Sequence, residues 1–196
     1  MPDFSNASMP KEFGELIRKG VIAPMFARIK RGAYGEAGLL TPASTEKGRS
    51  AYLHLEVTLT GGDHKGGNLS IRLTVEGDNH AAAIANSFDL LGSILRSAFN
   101  LAMSDTSPEA QAKLNAGFEV FDGLHFYGKI GVERGKLTND GSGERWPDKN
   151  TLTTGVTKDM SGWPGPIAQE VGFTAGPSPA TPSAPPASRP RPSWSS

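Results

Sequence analysis

Strict alternation of apolar and polar residues marks two segments in the first half of the chain, residues 51–59 and 69–75. A less regular alternation runs over residues 21–31. Because successive side chains of a strand point to opposite faces of a sheet, this period of two predicts three strands, each with one buried and one solvent-facing side. Glycine pairs at 61–62 and 66–67 lie between the last two segments and predict a hairpin loop.

The hydrophobic period changes after residue 78. Asp78 or Asn79 is suited to cap a helix that continues through residue 103 and carries an apolar stripe. The stripe comprises Ile84, Phe88, Leu91, Leu95 and Phe99. Ser107 followed by Pro108 predicts the start of a second helix. Alternation resumes over residues 124–132, and a threonine-rich run at 151–157 follows a glycine-rich polar loop.

The order of these elements is three strands, a helical segment and two strands. We therefore predict a mainly β fold, a five-stranded antiparallel barrel like the oligonucleotide-binding (OB) fold, with the helix between strands 3 and 4. An open antiparallel sheet with helices on one face, or a β-sandwich with few strands, is the alternative. The predicted domain spans residues 21–173, after a lead-in at 1–20, and the Pro/Ser/Ala-rich tail at 174–196 is expected to be disordered.

Composition limits the classes of function. Twenty Lys and Arg balance twenty Asp and Glu, which argues against a protein that coats duplex DNA by charge alone, although a neutral protein can still have a basic groove. The absence of cysteine excludes disulfides, thiolate catalysis and cysteine metal sites, and fits a reducing cytoplasm. No apolar run is long enough to span a bilayer or to act as a signal peptide, so we expect a cytoplasmic protein with no membrane partner.

Aromatic and basic side chains share the predicted solvent-facing sides of the strands. They are Phe26, Arg28, Lys30, Tyr52, Arg72, Tyr127 and Lys129, with His54 beside Tyr52. Single-stranded nucleic acid needs cations for its phosphates and exposed rings for its bases, each stack contributing about 1–3 kcal/mol. The alternative is that the two tyrosines pack against the long helix.

Two predicted loops add further candidates. Residues 45–50, expected to join the first and second strands, contain Lys47 and Arg49. Residues 143–150, expected to join the fourth and fifth, contain Arg145, Trp146 and Lys149. In an OB barrel these loops flank the binding face, where an indole beside an arginine is suited to clamp a base. The alternative is that Trp146 packs down and anchors its loop.

Residues 118–159 contain FEVFDGLHFYGKIGVERG and then WPDKNTLTTGVTKD, and residues 51–75 form an alternating strand, a glycine-rich hairpin and another strand. These segments resemble phage-encoded single-stranded DNA-binding proteins and their uncharacterised phage relatives. The resemblance implies an OB fold and sequence-tolerant binding of single-stranded DNA in phage replication and recombination, in the host cytoplasm. The residues of this chain that the resemblance implies in DNA binding are Lys129 and the turn at residues 146–150.

The tail departs from the acidic tip with which many such proteins end. It contains no acid and ends with Arg189, Arg191 and Trp194. Replication or recombination proteins are the partners expected for it, and oligomerisation is left open.

Catalytic chemistry has little support in the sequence. The four histidines, His54, His64, His80 and His125, show no metal-ligand spacing, and several aspartates adjoin glycine as in turns. We expect a non-enzymatic protein with no cofactor or metal. The alternative function is a phage structural or adaptor protein that binds other proteins through the same barrel face and tail. Gathering of the basic residues and tyrosines in one groove would favour nucleic acid.

Overall fold

The computed structural model describes residues 16–45, 48–138 and 143–169. Within them lie six strands: β1 (Ile22–Ile29), β2 (Leu40–Thr45), β3 (Gly48–Leu59), β4 (Asn68–Gly77), β5 (Leu124–Glu133) and β6 (Lys149–Gly155). The α-helices are α1 (Ala81–Ala98) and α2 (Pro108–Leu114), and two short 3₁₀ helices span Glu36–Gly38 and Phe118–Phe121.

The strands form one antiparallel sheet. Strand β3 pairs with β4 along one edge, and its other edge pairs first with β2 and then with β1. The far edge of β1 pairs with β5, which pairs with β6. Some Cα atoms of β4 and β6 lie within 8 Å of each other, but these strands are not paired, so the sheet is not closed into a barrel.

The mainly β prediction is confirmed, whereas the prediction of five strands is wrong, because the described part of the chain has six. The additional strand is β2, whose sequence LTPAST has no apolar alternation to reveal it. Proline is tolerated in a strand at a sheet edge, which is where Pro42 lies. The tail at 174–196 lies outside the described residues, as does most of the lead-in at 1–20.

The core lies between the inner face of the sheet and α1. Every second residue of the central strands is buried there, as the sequence pattern predicts: Met25, Ala27, Leu53, Leu55, Val57, Leu69, Ile71, Leu73, Phe126 and Ile130. Helix α1 packs against β4, β5 and β6. It approaches β6 so closely that a Cβ at Gly155 would collide with the Ser93 carbonyl oxygen.

The predicted cap of α1 is wrong and its predicted face is correct in part, since Leu91 and Leu95 are buried and Phe99 packs against the core. The helix begins at Ala81, with His80 rather than Asp78 or Asn79 at the N-cap position. Its buried side includes three serines, Ser87, Ser93 and Ser97, with Leu91, Ile94, Leu95 and Ala98, whereas Phe88 is 49% exposed. Hydrophobic periodicity did not identify the serine part of the buried side, because serine is polar. The predicted start of α2 is confirmed, since the Ser107 hydroxyl accepts a hydrogen bond from the Ala110 N–H at 3.2 Å.

Two side chains form hydrogen bonds with the backbone of β5 at positions that β6 does not pair. The Ser97 hydroxyl accepts from the Tyr127 N–H at 3.0 Å and donates to the Tyr127 carbonyl at 2.9 Å. The Gln169 amide does the same for His125, accepting at 3.0 Å and donating at 2.7 Å. The two side chains thus provide hydrogen-bond partners for backbone N–H and C=O groups that a neighbouring strand would otherwise pair.

Replacement of Ser97 by alanine tests this edge contact. We expect Ser97→Ala to lower the free energy of unfolding by about 1–3 kcal/mol, because it leaves a backbone donor without its acceptor. The matched control is Ser87→Ala, since Ser87 donates only to the Ala83 carbonyl of its own helix and its loss should change stability by less than about 0.5 kcal/mol. Urea denaturation at equal m-values measures both, and equal effects would contradict the assignment.

Candidate nucleic-acid interface

The outer face of the sheet, opposite the core, is organised by the pairing of β1 with both neighbours. Phe26 lies directly across from His125 of β5 and from Thr58 of β3. Two residues further along β1, Arg28 lies across from Glu56 of β3. The register therefore places aromatic and basic side chains from separate strands side by side.

This register continues diagonally across four strands. Lys129 and Tyr127 of β5 lie across from Ile22 and Pro24, at the start of β1. At the other end, the Lys30 N–H donates to the His54 carbonyl at 2.9 Å, and His54 lies across from Arg72 of β4. We call this line the outer stripe: Lys129, Tyr127, His125, Phe26, Arg28, Lys30, His54, Tyr52 and Arg72. With a rise of about 3.3 Å per residue it extends about 30 Å along the strands.

Cations lie over two rings of the outer stripe. The Arg28 guanidinium is 5.3 Å from the centroid of the Phe26 ring, and that of Arg72 is 5.5 Å from the centroid of Tyr52. The Phe26 and His125 rings are 4.7 Å apart and inclined at 46°. Phe26 and Tyr52 therefore each have a positive group within cation–π distance, which is the combination that an unstacked base and its phosphate require.

The charge of the outer stripe differs from that of the whole chain. Arg28, Lys30, Arg72 and Lys129 are all exposed, and Glu56 lies among them. The Lys30 ammonium is 3.5 Å from the Glu56 carboxylate, with both side chains more than half exposed. Such a solvent-exposed pair contributes little to stability and exchanges partners readily. The outer stripe therefore carries four exposed cations, with one carboxylate among them, on a chain whose net charge is zero.

His54 is the buried member of the outer stripe. Its side chain is only 7% exposed, and its Nε2 lies 2.8 Å from the Ser70 hydroxyl. Burial lowers the pKa of His54 below its ordinary value of 6.5, and the positive charges of Arg72 and Lys30 lower it further, against a smaller opposite effect of Glu56. The neutral form of the imidazole is therefore favoured in the folded chain.

The segment predicted as a loop at residues 45–50 is largely strand. Thr45 ends β2, and β3 begins at Gly48, whose φ of 117° suits glycine at a tight connection. Arg49 belongs to β3 and lies three positions before Tyr52, so it points to the opposite side of the sheet from the outer stripe. Lys47 lies outside the described residues.

The connection between β5 and β6 extends their hairpin. Leu137 and Arg145 form a bridge, and the Arg145 guanidinium donates to the Gly135 carbonyl at 3.0 Å. Lys149 is already in β6 and lies 3.1 Å from Glu133. The Trp146 indole is 65% exposed, so it does not anchor the loop in the core. It borders a pocket of about 280 Å³ that includes Arg134 and Lys136.

Seven of the predicted site residues therefore share the outer stripe: Phe26, Arg28, Lys30, Tyr52, Arg72, Tyr127 and Lys129. Arg145, Trp146 and Lys149 lie beyond the N-terminal end of β1, where β5 ends. The site prediction omitted His54, Glu56 and His125. Their place on the outer side of the strands was visible in the alternation, but their proximity to the other candidates depends on the register between strands.

A second concave surface lies between α1, α2 and the 3₁₀ helix at Phe118–Phe121. It has a volume of about 350 Å³ and an apolar lining that includes Leu91, Leu114 and Phe118. Phe88 and Met103 border it and are both nearly half exposed. This pocket is on the helical side of the molecule, whereas the outer stripe is on the sheet.

Other kinds of site find little support in the structure. The described ranges contain no cluster of three or more histidine, aspartate or glutamate side chains suited to a metal ion. In the same part of the chain, no helix combines the length and apolarity needed to cross a membrane.

Comparison of the chain with protein-family models finds no matching family, and no curated protein matches it. The resemblance to phage single-stranded DNA-binding proteins stays a prediction.

The lowered pKa of His54 leads us to expect that the free energy of unfolding depends on pH. The folded state favours the neutral ring, so protonation favours the unfolded chain. We expect the His54 contribution to be present above about pH 6.5 and to be lost progressively as the pH falls through the lowered pKa. Urea denaturation from about pH 8 to 5 should show a smaller loss of stability in His54→Gln than in the parent protein.

The control for this prediction is His64→Gln, since His64 is exposed in the connection between β3 and β4. This variant should retain the pH dependence of the parent. An unchanged pH dependence in His54→Gln would show that the buried imidazole does not favour its neutral form.

Proposed function

We propose that this chain binds single-stranded DNA along the outer stripe, by base stacking and phosphate contacts with little readout of base identity. The observation that supports this function is the strand register, which aligns rings and cations on one face. A length of about 30 Å is suited to several nucleotides, within the roughly 4–16 that a single OB domain binds. Trp146, at one end of this face, would extend the track.

The open sheet is, in our proposal, a variant of the five-stranded OB barrel. Three features support this relationship. Strand β1 pairs with both β3 and β5, α1 follows the third strand of the β1–β3–β4 meander, and α1 covers the opening between β4 and β6. Strand β2 would then be an addition to the barrel, at its edge.

The biological setting that we propose follows from the sequence resemblance. It is phage DNA replication or recombination in the host cytoplasm, without catalysis, a cofactor or a metal. Residues 174–196 would recruit replication or recombination proteins, a role that the basic residues and Trp194 of this segment suit better than competition with DNA.

A second candidate is a phage structural or adaptor protein. The apolar pocket beside Phe88 and Met103 favours it, because exposed apolar surface around a concavity is typical of protein-binding sites. In that function the tail and the pocket, rather than the rings of the outer stripe, would determine affinity. Variants on the two surfaces therefore distinguish the candidates.

Tyr52→Ala tests stacking on the outer stripe. We expect it to weaken binding of an oligothymidylate by about 1–3 kcal/mol at both low and high salt, because stacking is not screened by ions. Phe88→Ala is the matched control, an exposed ring on α1 rather than on the sheet. Fluorescence anisotropy measures both, and Trp146→Ala extends the test to the β5–β6 connection. Equal affinities of Tyr52→Ala and Phe88→Ala would contradict the site.

Lys129→Ala tests the phosphate contacts. We expect the slope of log K against log salt to become less negative by about 0.7, the value for one neutralised phosphate of a single strand. Lys113→Ala, on α2, is the control and should leave the slope unchanged. Identical slopes for the two variants would remove Lys129 from the interface.

A further inference from the structure

Three side chains that can carry positive charge lie in one row at the Tyr52 end of the outer stripe. Lys30 follows β1, His54 lies in β3 and Arg72 in β4, and the backbone pairing places them side by side. Because neighbouring strands are about 4.8 Å apart, the row is about 10 Å across. Lys30 and Arg72, at its two ends, are exposed, while His54 between them is buried.

The charges around His54 are positive on balance, so a further negative charge placed beside it would favour the protonated ring. Arg72 and Lys30 act on it from the two neighbouring strands, and on its own strand Glu56 opposes them weakly. The uncharged groups around it are the Ser70 hydroxyl, at 2.8 Å, and the Tyr52 ring, whose centroid is 6.3 Å away. Glu56 holds Lys30 only through a solvent-exposed contact of 3.5 Å, which a phosphate can replace.

We propose that the row Lys30, His54 and Arg72 is a phosphodiester-binding subsite that takes up a proton on His54 when the nucleic-acid backbone binds. The inference rests on the proposed function and adds to it the position of a backbone phosphate and a dependence on pH. Lys30 and Arg72 contact the phosphate. His54 lies beneath them and supplies a third positive charge once it is protonated.

The direction of the effect follows from electrostatics. In the free protein the two cations and burial disfavour a charged imidazole. A phosphate placed between the cations offsets their charge, so the pKa of His54 rises on binding. By linkage, affinity for the single strand increases as the pH falls between the bound and the free pKa, by up to about tenfold for each unit by which binding raises the pKa.

Proton NMR of the wild-type chain tests the subsite directly. The chain has four histidines, so the imidazole signals can be followed individually from about pH 8 to 5. Ser70→Ala identifies the His54 signal, since Ser70 is exposed and hydrogen-bonded to that ring. The ligand is a short oligothymidylate, whose bases do not titrate in this range. We expect the pKa of His54 to be higher in the complex than in the free protein.

Anisotropy provides the second measurement. The wild-type chain should bind the oligothymidylate more tightly at about pH 5.5 than at pH 7.5, and His54→Gln should lose most of this gain, whereas His64→Gln should keep it. Binding with the same pKa of His54 in the free and bound states would overturn the subsite while leaving the proposed function intact. Absence of binding at every pH would contradict the proposed function, and the subsite with it.

Discussion

The outer stripe depends on the pairing of β1 with β3 along one edge and with β5 along the other. Its residues come from parts of the sequence as far apart as Phe26 and Lys129, and the register of these two pairings brings those of β1, β3 and β5 into one line, which the pairing of β3 with β4 extends to Arg72. Because the side-chain period of a strand is two, a slip of one residue in either pairing would move part of the stripe to the core side. The buried alternating residues of β1, β3 and β5 therefore fix both the core and the proposed binding face.

The remaining elements hold strands β1, β3 and β5 in place. Helix α1 covers the inner face and contributes Ser97 to the free edge of β5, while Gln169 satisfies the adjacent backbone position. At these positions the edge of β5 is occupied by side chains, which limits its capacity to pair with another chain. On the outer face, Phe26 and Tyr52 are partly exposed.

Much of this architecture was predictable from the sequence, and the failures have physical causes. Strict alternation located β3, β4 and β5, and Ser107-Pro108 located the start of α2, because these signals are local. Strand β2 was missed because it lies at an edge and has proline and small polar residues where alternation was expected. The buried face of α1 was identified only in part, because three of its members are serines, with hydroxyls that bond to α1 itself or to the sheet.

The candidate site shows the same division between local and long-range information. The outward direction of Tyr52, Arg72 and Lys129 followed from periodicity alone. The contact of Phe26 with His125 and the row formed by Lys30, His54 and Arg72 required strand register, which alternation does not specify. Arg49 was misplaced because the predicted loop at 45–50 ignored the hairpin of β2 with β3.

The central claim is that the aligned rings and cations bind single-stranded DNA. The most direct test is fluorescence anisotropy with labelled single-stranded and duplex DNA of equal length across a salt series. The account predicts tighter binding of the single strand, with an affinity that falls linearly with salt on logarithmic axes. Absence of binding to either DNA at low salt and micromolar protein, or an equal affinity for both forms, would contradict it.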